Sequence, residues 1–191
     1  MSIPQHDRMP PIPKERWTEA QQSAAARFAE MRGQDVFGPF TVMLRSPEVM
    51  LRAGAMGDYL RHHTVLSPRL NEFIILITAR HWTQQFEWHV HQPAALNAGL
   101  SLDIVNAIAA GRRPMGMSEE EKIVHDFTIE LLRGQNVSDP VYAAAAARFG
   151  EQGIVDMVGV AGYYTFLSMV MNTARTPVPA DSTVPPLPTL K

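Results

Sequence analysis

Apolar residues recur at helical spacing through most of the chain, and no stretch alternates in the way typical of a strand. The segment from Lys14 to Arg32 places Trp17, Ala24 and Phe28 at this spacing and is rich in helix-forming residues. Gly33 follows as a C-terminal stop signal. The pattern predicts a helix over 14–32, whereas the segment 34–45 is ambiguous.

Serine residues mark the starts of further helices. Ser46-Pro47 and Ser67-Pro68 each pair a capping hydroxyl with a proline suited to the first turn, which predicts helices at about 47–60 and 68–82. Ser101 repeats the capping signal, and Ser118 with Glu121 forms a capping box. Glycines fall where helices should end, at Gly99, Gly111, Gly134 and Gly150. We therefore expect an all-α, single-domain helical bundle with about seven or eight helices.

Proline-rich segments flank this helical region. Residues 1–13 and 177–191 concentrate proline, so both are expected to be extended arms around a helical domain that spans 14–176. The apolar helix from Ile154 to Met171 should lie in the core or at a subunit interface. Its longest apolar stretch, Met157 to Met171, is shorter than the roughly 20 residues of a membrane span.

Composition excludes several classes of protein. The chain has 191 residues, of which 46% are hydrophobic and 19% charged, and its formal net charge is -2. This suits one globular domain without affinity for nucleic acid or an anionic membrane. There is no cysteine, which excludes disulfides, thiolate nucleophiles and thiolate metal ligands. The polar N-terminus does not look like a secretory signal, so a cytoplasmic location is expected.

Candidate chemistry concentrates between residues 71 and 93. If 84–98 is helical, Gln84, Glu87, Trp88 and His91 share one face, and Glu87 can touch His91 one turn away. A carboxylate beside an imidazole orients the ring and raises its pKa, as acid–base catalysis requires. The alternative is an ordinary surface contact between a glutamate and a histidine.

Metal binding is a competing hypothesis. It draws on oxygen and nitrogen ligands from Glu87, His89, His91, His62, His63 and His125. His89 and His91 would diverge on a helix, and a Glu-x-x-x-His pair alone lacks a third ligand. We therefore predict no metal site, and the absence of a glycine-rich phosphate loop predicts no organic cofactor.

The spacing of these residues resembles a known family. Ser67-Pro68-Arg69-Leu-x-Glu72 precedes an apolar helix and is followed by Glu87-Trp88-x-x-His91 and Ala94-Ala95-x-x-x-Gly99-Leu100. The late segment from Val160 to Leu167, with Asn172, fits the same pattern. Over about residues 40–175 the chain resembles the carboxymuconolactone decarboxylase family, which is all-helical and related to alkyl hydroperoxidase D.

The resemblance implies which chemistry is present. Redox members of this group carry a glutamate, a Cys-x-x-Cys pair and a histidine. By this resemblance the glutamate corresponds to Glu72 and the histidine to His91, while Gln84 and Glu87 occupy the two cysteine positions. A dithiol peroxidase reaction is therefore disfavoured. The decarboxylase branch carries glutamate at the second position, as Glu87 does here.

The resemblance thus implies a non-redox, cofactor-independent lyase or isomerase that acts on a small unsaturated lactone or carboxylic acid. His91 would protonate a substrate carbon, with Glu87 orienting it and Glu72 acting as a second acid–base group or an anchor. Residues predicted to bind or enclose the substrate are Arg80, Arg69, Arg45, Trp88, Trp82 and Gln84. The family also implies a homotrimer or homohexamer. The alternative is a non-catalytic helical oligomer or small-molecule binding protein.

Overall fold

The computed structural model describes residues 6–189, which form eight α-helices and no strand. The predicted all-α class and helix number are confirmed. A single 3-10 turn, Lys14–Arg16, precedes the helices. The helices are α1 Glu19–Arg32, α2 Pro39–Met43, α3 Pro47–His62, α4 Pro68–His81, α5 Gln85–Asn97, α6 Leu102–Ala109, α7 Glu119–Gly134 and α8 Asp139–Ala174.

The first predicted helix is shorter than expected. The continuous helix predicted over 14–32 is wrong, because Thr18 starts a new helix. Its hydroxyl accepts from the Gln21 amide at 3.3 Å, and the Gln21 side chain accepts from the Thr18 amide at 3.0 Å. This reciprocal capping satisfies amide groups that an uninterrupted helix would not leave free. Gly33 ends α1 in a left-handed conformation, as predicted.

Helix α4 is the centre of the fold. Every residue from Leu70 to Arg80 is buried, and the helix packs against α3, α5, α6, α7 and α8. Fully buried side chains of the core include Phe73 on α4 itself, Phe127 on α7 and Met157 on α8. Because α4 is enclosed on all sides, a polar residue on it such as Glu72 must find its partners inside the protein.

A three-residue turn joins α4 to α5 and brings the site residues together. Thr83 has a positive φ of 48°, which is unfavourable for a β-branched residue. Its hydroxyl accepts a 3.0 Å hydrogen bond from Arg80, which helps to hold the turn. Gln84 then caps α5, since its side-chain oxygen accepts from the Phe86 amide at 2.6 Å. The tight turn folds α5 back along α4, so His91 lies opposite Glu72.

Helix α8 is long and apolar, and it is not uniform. Gly150 breaks its helical geometry with φ 68° and ψ 179°, where the sequence predicted a helix end. The helix is long and apolar enough to cross a membrane by length and composition, but half of its most apolar window is buried in the fold. That degree of burial is typical of a core helix. Its exposed apolar residues include Val155 and Met169.

The described parts of the two arms, residues 6–13 and 177–189, contain no helix and pack on the helical domain. Residues 1–5 and 190–191, parts of the predicted arms, lie outside the described residues. In the C-terminal arm, Leu187 is buried. Its amide donates to the side-chain oxygen of Gln85 at 2.8 Å, and its carbonyl accepts from the side-chain nitrogen of Gln85 at 3.0 Å. In the N-terminal arm, the Arg8 amide donates to the Ala174 carbonyl at 2.7 Å.

Candidate active site

His91 lies between two buried carboxylates. Its Nδ1 is 2.7 Å from Oε2 of Glu72 on α4, and its Nε2 is 3.3 Å from Oε2 of Glu87 one turn earlier on α5. All three residues are less than 10% exposed. The structure therefore brings together the three residues that the sequence predicted as acid–base groups. The shorter contact makes Glu72 the tighter partner of the imidazole.

The two carboxylates keep the imidazole protonated. Burial alone lowers the pKa of His91, but the hydrogen bonds and negative charges of Glu72 and Glu87 outweigh it and raise the pKa to about 9. At neutral pH both ring nitrogens therefore carry protons, and each faces a carboxylate oxygen. The arrangement is a buried imidazolium whose two N–H groups each face a carboxylate acceptor.

His91 and Glu87 line a small cavity of about 30 Å³ that is partly open to the surface. A volume of this size holds about one or two waters. The wall is mainly aromatic and apolar and combines residues of α1, the α1–α2 segment, α2, α3, α5 and α8. The Tyr164 ring meets the His91 ring edge to face, with the ring centroids 4.9 Å apart. Burial, with the charge of Glu87 adding to it, raises the pKa of Tyr164 well above its ordinary value, so its hydroxyl stays protonated.

Two arginines that the sequence analysis missed contribute to this cavity. Arg32 ends α1 and Arg61 lies in the last turn of α3, and both are half-buried. Within residues 6–189, neither forms an ion pair with a carboxylate. The charges of both arginines counteract the rise in the pKa of Tyr163, so both lie near the part of the cavity wall that Tyr163 forms. No spacing in the sequence connects α1 and α3 to α5, so only the fold reveals them.

The three arginines predicted to bind substrate carboxylates do not line this cavity. Arg69 pairs with Glu121, Arg45 donates to the Pro10 carbonyl at 2.7 Å, and Arg80 donates to the Pro188 carbonyl at 2.7 Å. Each guanidinium is occupied by a structural contact. The structure therefore places these residues outside the cavity wall, because α4 and the α2–α3 junction direct them to other parts of the protein.

The predicted tryptophans and Gln84 also lie outside the cavity wall. Trp88 is part of the hydrophobic core, and the Trp82 indole donates to Thr165 at 3.1 Å. Gln84 caps α5 and donates to the Asn172 side chain at 2.9 Å. These residues position α5 against α8. Phe86, in the first turn of α5, does line the cavity.

A glycine on α3 makes room for the tyrosine pair. A Cβ atom added at Gly57 would clash with the Tyr163 hydroxyl. Tyr163 in turn packs at right angles to Tyr164, with ring centroids 5.3 Å apart. The small residue at 57 thus lets α3 approach α8 closely enough to complete the cavity wall.

Metal ligation does not fit this arrangement. Within residues 6–189, no group of three or more histidine, aspartate and glutamate side chains has a geometry suited to a metal ion. Both nitrogens of His91 already face carboxylates, so neither is directed at an open coordination position.

Comparison with solved structures identifies the architecture. No protein-family model matches the sequence, and no curated protein matches it. The alkylhydroperoxidase AhpD core of an uncharacterised peroxidase-related protein from Ralstonia eutropha JMP134 is similar, with a TM-score of 0.72, 12% identity, and coverage of 92% of this chain and 93% of that one. A protein of unknown function from Agrobacterium tumefaciens, provisionally assigned to AhpD antioxidant defence, has a TM-score of 0.61, 19% identity, and coverage of 73% and 96%.

The fold is AhpD-like. A third similar structure is a cysteine-to-alanine variant of the debrominase Bmp8 in complex with 2,3,4-tribromopyrrole, with a TM-score of 0.69, 12% identity, and coverage of 90% and 91%. Proteins with this fold thus include a debrominase. At these identities the likeness establishes the fold alone, and membership of the carboxymuconolactone decarboxylase family stays a prediction.

The raised pKa of His91 predicts a pH-dependent stability. The folded pKa of about 9 lies above the ordinary value of 6.5, so the stabilisation is complete below pH 6.5 and is lost as the pH rises through 9. We expect the free energy of unfolding to fall by about 3 kcal/mol over this interval. Urea denaturation of the wild type and His91→Gln between pH 6 and 10 measures it. The fall should be absent from the variant, and parallel curves for the two proteins would contradict the prediction.

Proposed function

We propose that this AhpD-like protein is a cysteine-independent acid–base enzyme that decarboxylates or isomerises a small unsaturated lactone or carboxylic acid. The observation that carries the proposal is His91, held between Glu72 and Glu87 at the wall of a small cavity. A buried imidazolium that faces a small cavity is a proton donor shielded from water. The absence of cysteine removes the dithiol route open to other chains of this fold.

The cavity also supplies charge for an anionic substrate. Arg32 and Arg61 line it, and Arg61 carries no ion pair among the described residues. A guanidinium binds a carboxylate or an enolate oxygen through paired N–H donors. The protonated Tyr164 hydroxyl is a further donor for a developing oxyanion. These groups support a substrate whose negative charge moves during the reaction.

The two carboxylates have different places in the proposed reaction. In decarboxylation the bond to the carboxyl carbon breaks and carbon dioxide leaves. The electron pair of that bond stays with the substrate and enters the unsaturated carbonyl system. His91 then delivers the Nε2 proton to carbon. Glu87 lines the cavity beside Nε2, whereas Glu72 holds Nδ1 from behind and does not line it. In isomerisation Glu87 would accept a proton from one substrate carbon, and His91 would deliver its Nε2 proton to another. The proton on Glu87 would then pass to Nε2 and restore both groups.

Substrate entry requires the cavity to expand. Organic ligands occupy pockets of about 300 Å³ or more, and this cavity measures about 30 Å³. Among its lining residues, Phe37 and Phe86 are half-buried, whereas Phe40 and Leu167 are almost fully buried. We infer that the two half-buried phenylalanines move outward to admit substrate. Closure behind it would exclude water from the proton transfer.

Two further parts of the proposal concern assembly and the alternative function. We propose that the chain forms a homotrimer or homohexamer through the exposed apolar face of α8, which includes Val155 and Met169. The alternative function is a non-catalytic helical oligomer or small-molecule binding protein, and the small size of the cavity favours the oligomer.

A turnover assay tests the enzyme proposal. Wild type and His91→Gln are incubated at pH 7.5 with a panel of carboxylated lactones, unsaturated lactones and enones, and products are followed by mass spectrometry. We expect at least one substrate to turn over in the wild type and a 10²–10⁴-fold loss in His91→Gln. His63→Gln, at an exposed histidine, is the control. Equal turnover in His91→Gln, or no turnover across the panel, would overturn the proposal.

A further inference from the structure

A second, larger cleft lies away from the cavity that His91 lines. It measures about 780 Å³ and lies between the C-terminal half of α4, α6 and α7, with contributions from the start of α8 and from Thr189 of the C-terminal arm. It shares no lining residue with the His91 cavity. Its volume falls in the range of small-molecule pockets. It is therefore a second candidate site.

The cleft carries an excess of positive charge. Four arginines line it, against two carboxylates, in a chain whose formal net charge is -2. Both carboxylates are already engaged. Asp126 pairs with Arg113, and Glu130 accepts hydrogen bonds from the amide and hydroxyl of Ser138 at 2.7 and 3.1 Å. They are therefore poorly placed to neutralise the other arginines.

Two arginines remain available to a ligand. Arg112 and Arg133 are exposed at the cleft, and within residues 6–189 neither forms an ion pair or a side-chain hydrogen bond. The two histidines of the cleft add no further positive charge. Burial, and secondarily the charge of Arg133, lowers the pKa of His81, and burial also outweighs Asp126 to lower the pKa of His125. The neutral histidines leave an arginine-dominated field.

Four aliphatic side chains also line the cleft. Ile77 of α4, Ile108 of α6, Ile129 of α7 and Val141 of α8 contribute aliphatic surface to the same cleft. A site that combines aliphatic walls with two available guanidinium groups suits a ligand with an apolar body and an anionic end. Inorganic anions would leave the aliphatic wall unused, and neutral apolar molecules would leave the arginines unused.

We propose that this cleft binds an amphipathic organic anion, with its carboxylate or phosphate headgroup at Arg112 and Arg133 and its apolar body against the aliphatic wall. The site is separate from the acid–base cavity. A ligand here would contact residues of α4, α6, α7 and the start of α8, none of which lines the acid–base cavity.

Isothermal titration calorimetry tests the proposal on the full chain with four probes. Octanoate and octyl phosphate present the two headgroups, octan-1-ol lacks the charge, and inorganic phosphate lacks the apolar body. We expect saturable binding of at least one anionic probe, at least tenfold tighter than either octan-1-ol or inorganic phosphate. The tighter of the two anionic probes identifies the headgroup. Equal binding of octan-1-ol, or no saturable binding of either anion, would overturn the proposal.

Variants locate the bound probe. The double variant Arg112→Gln/Arg133→Gln should weaken binding at least tenfold, equivalent to about 1.4 kcal/mol. Arg27→Gln/Arg52→Gln removes two exposed arginines of α1 and α3 outside the cleft and should leave the affinity unchanged. Val141→Trp fills the half-buried aliphatic wall and should also weaken binding. An unchanged affinity in the first variant would overturn the assignment, and so would an equal loss in the control.

Discussion

Replacing His91 by alanine should lower the free energy of unfolding by about 3–5 kcal/mol at pH 8. The substitution removes the cation that lies between Glu72 and Glu87 and leaves two buried carboxylates facing each other across an empty space. Their mutual repulsion and their missing solvation act in the same direction. Urea denaturation monitored by circular dichroism measures the loss.

The same experiment at low pH separates charge from packing. At pH 4.5 the carboxylates of the variant can take up protons, so its deficit relative to wild type should shrink by more than half. His63→Ala removes an exposed histidine 3.9 Å from Asp58 and should cost less than about 1 kcal/mol at either pH. A deficit of equal size at both pH values would mean that packing, and not the buried charges, dominates.

Glu87→Gln should lower kcat by about 10²–10⁴-fold on whichever substrate the panel identifies. Glu87 faces both the cavity and the reacting nitrogen of His91, so its loss removes the carboxylate that orients His91 and, in isomerisation, the group that accepts the substrate proton. Glu72→Gln should act differently, because Glu72 contacts only the far nitrogen of the ring. It is a positioning residue, and its variant should retain more activity.

The pH profile of kcat/KM distinguishes these roles. His91 must be protonated to act as an acid, so the wild-type rate should decline on the alkaline side near pH 9. Glu72→Gln removes one of the carboxylates that raise the pKa of His91 and should move this decline to lower pH. Rates and profiles for both variants, with circular dichroism to establish folding, provide the measurement. An unmoved alkaline limb in Glu72→Gln would refute its role as a partner of the imidazolium.

Local signals in the sequence predict most of the helical architecture. Capping serines such as Ser67 and Ser118 act within four residues, so their effect can be inferred without the fold. The same holds for Glu87 and His91, which are one helical turn apart. The Thr18 break in the first helix was missed because the intervening apolar spacing continued through it.

The charge environment of the site could not be inferred in this way. Arg32 and Arg61 reach the cavity only because α1 and α3 pack near α5 and α8, and no sequence spacing encodes that approach. The sequence predicts that Arg69 binds substrate, but Glu121 on α7 pairs with it. A guanidinium can serve many partners, so arginine positions depend on tertiary packing more than helix starts do.

The close approach of Gly57 to Tyr163 has a consequence for recognising distant relatives. Identities of 12–19% to known AhpD-like structures are too low for overall similarity to sort chemistries within the fold. A homologue with a bulkier residue at 57 must shrink or turn the residue at 163, which would change the tyrosine wall beside His91. Joint inheritance of this glycine and tyrosine, together with both glutamates and the histidine, would therefore mark chains that share this protein's cavity and not merely its helices.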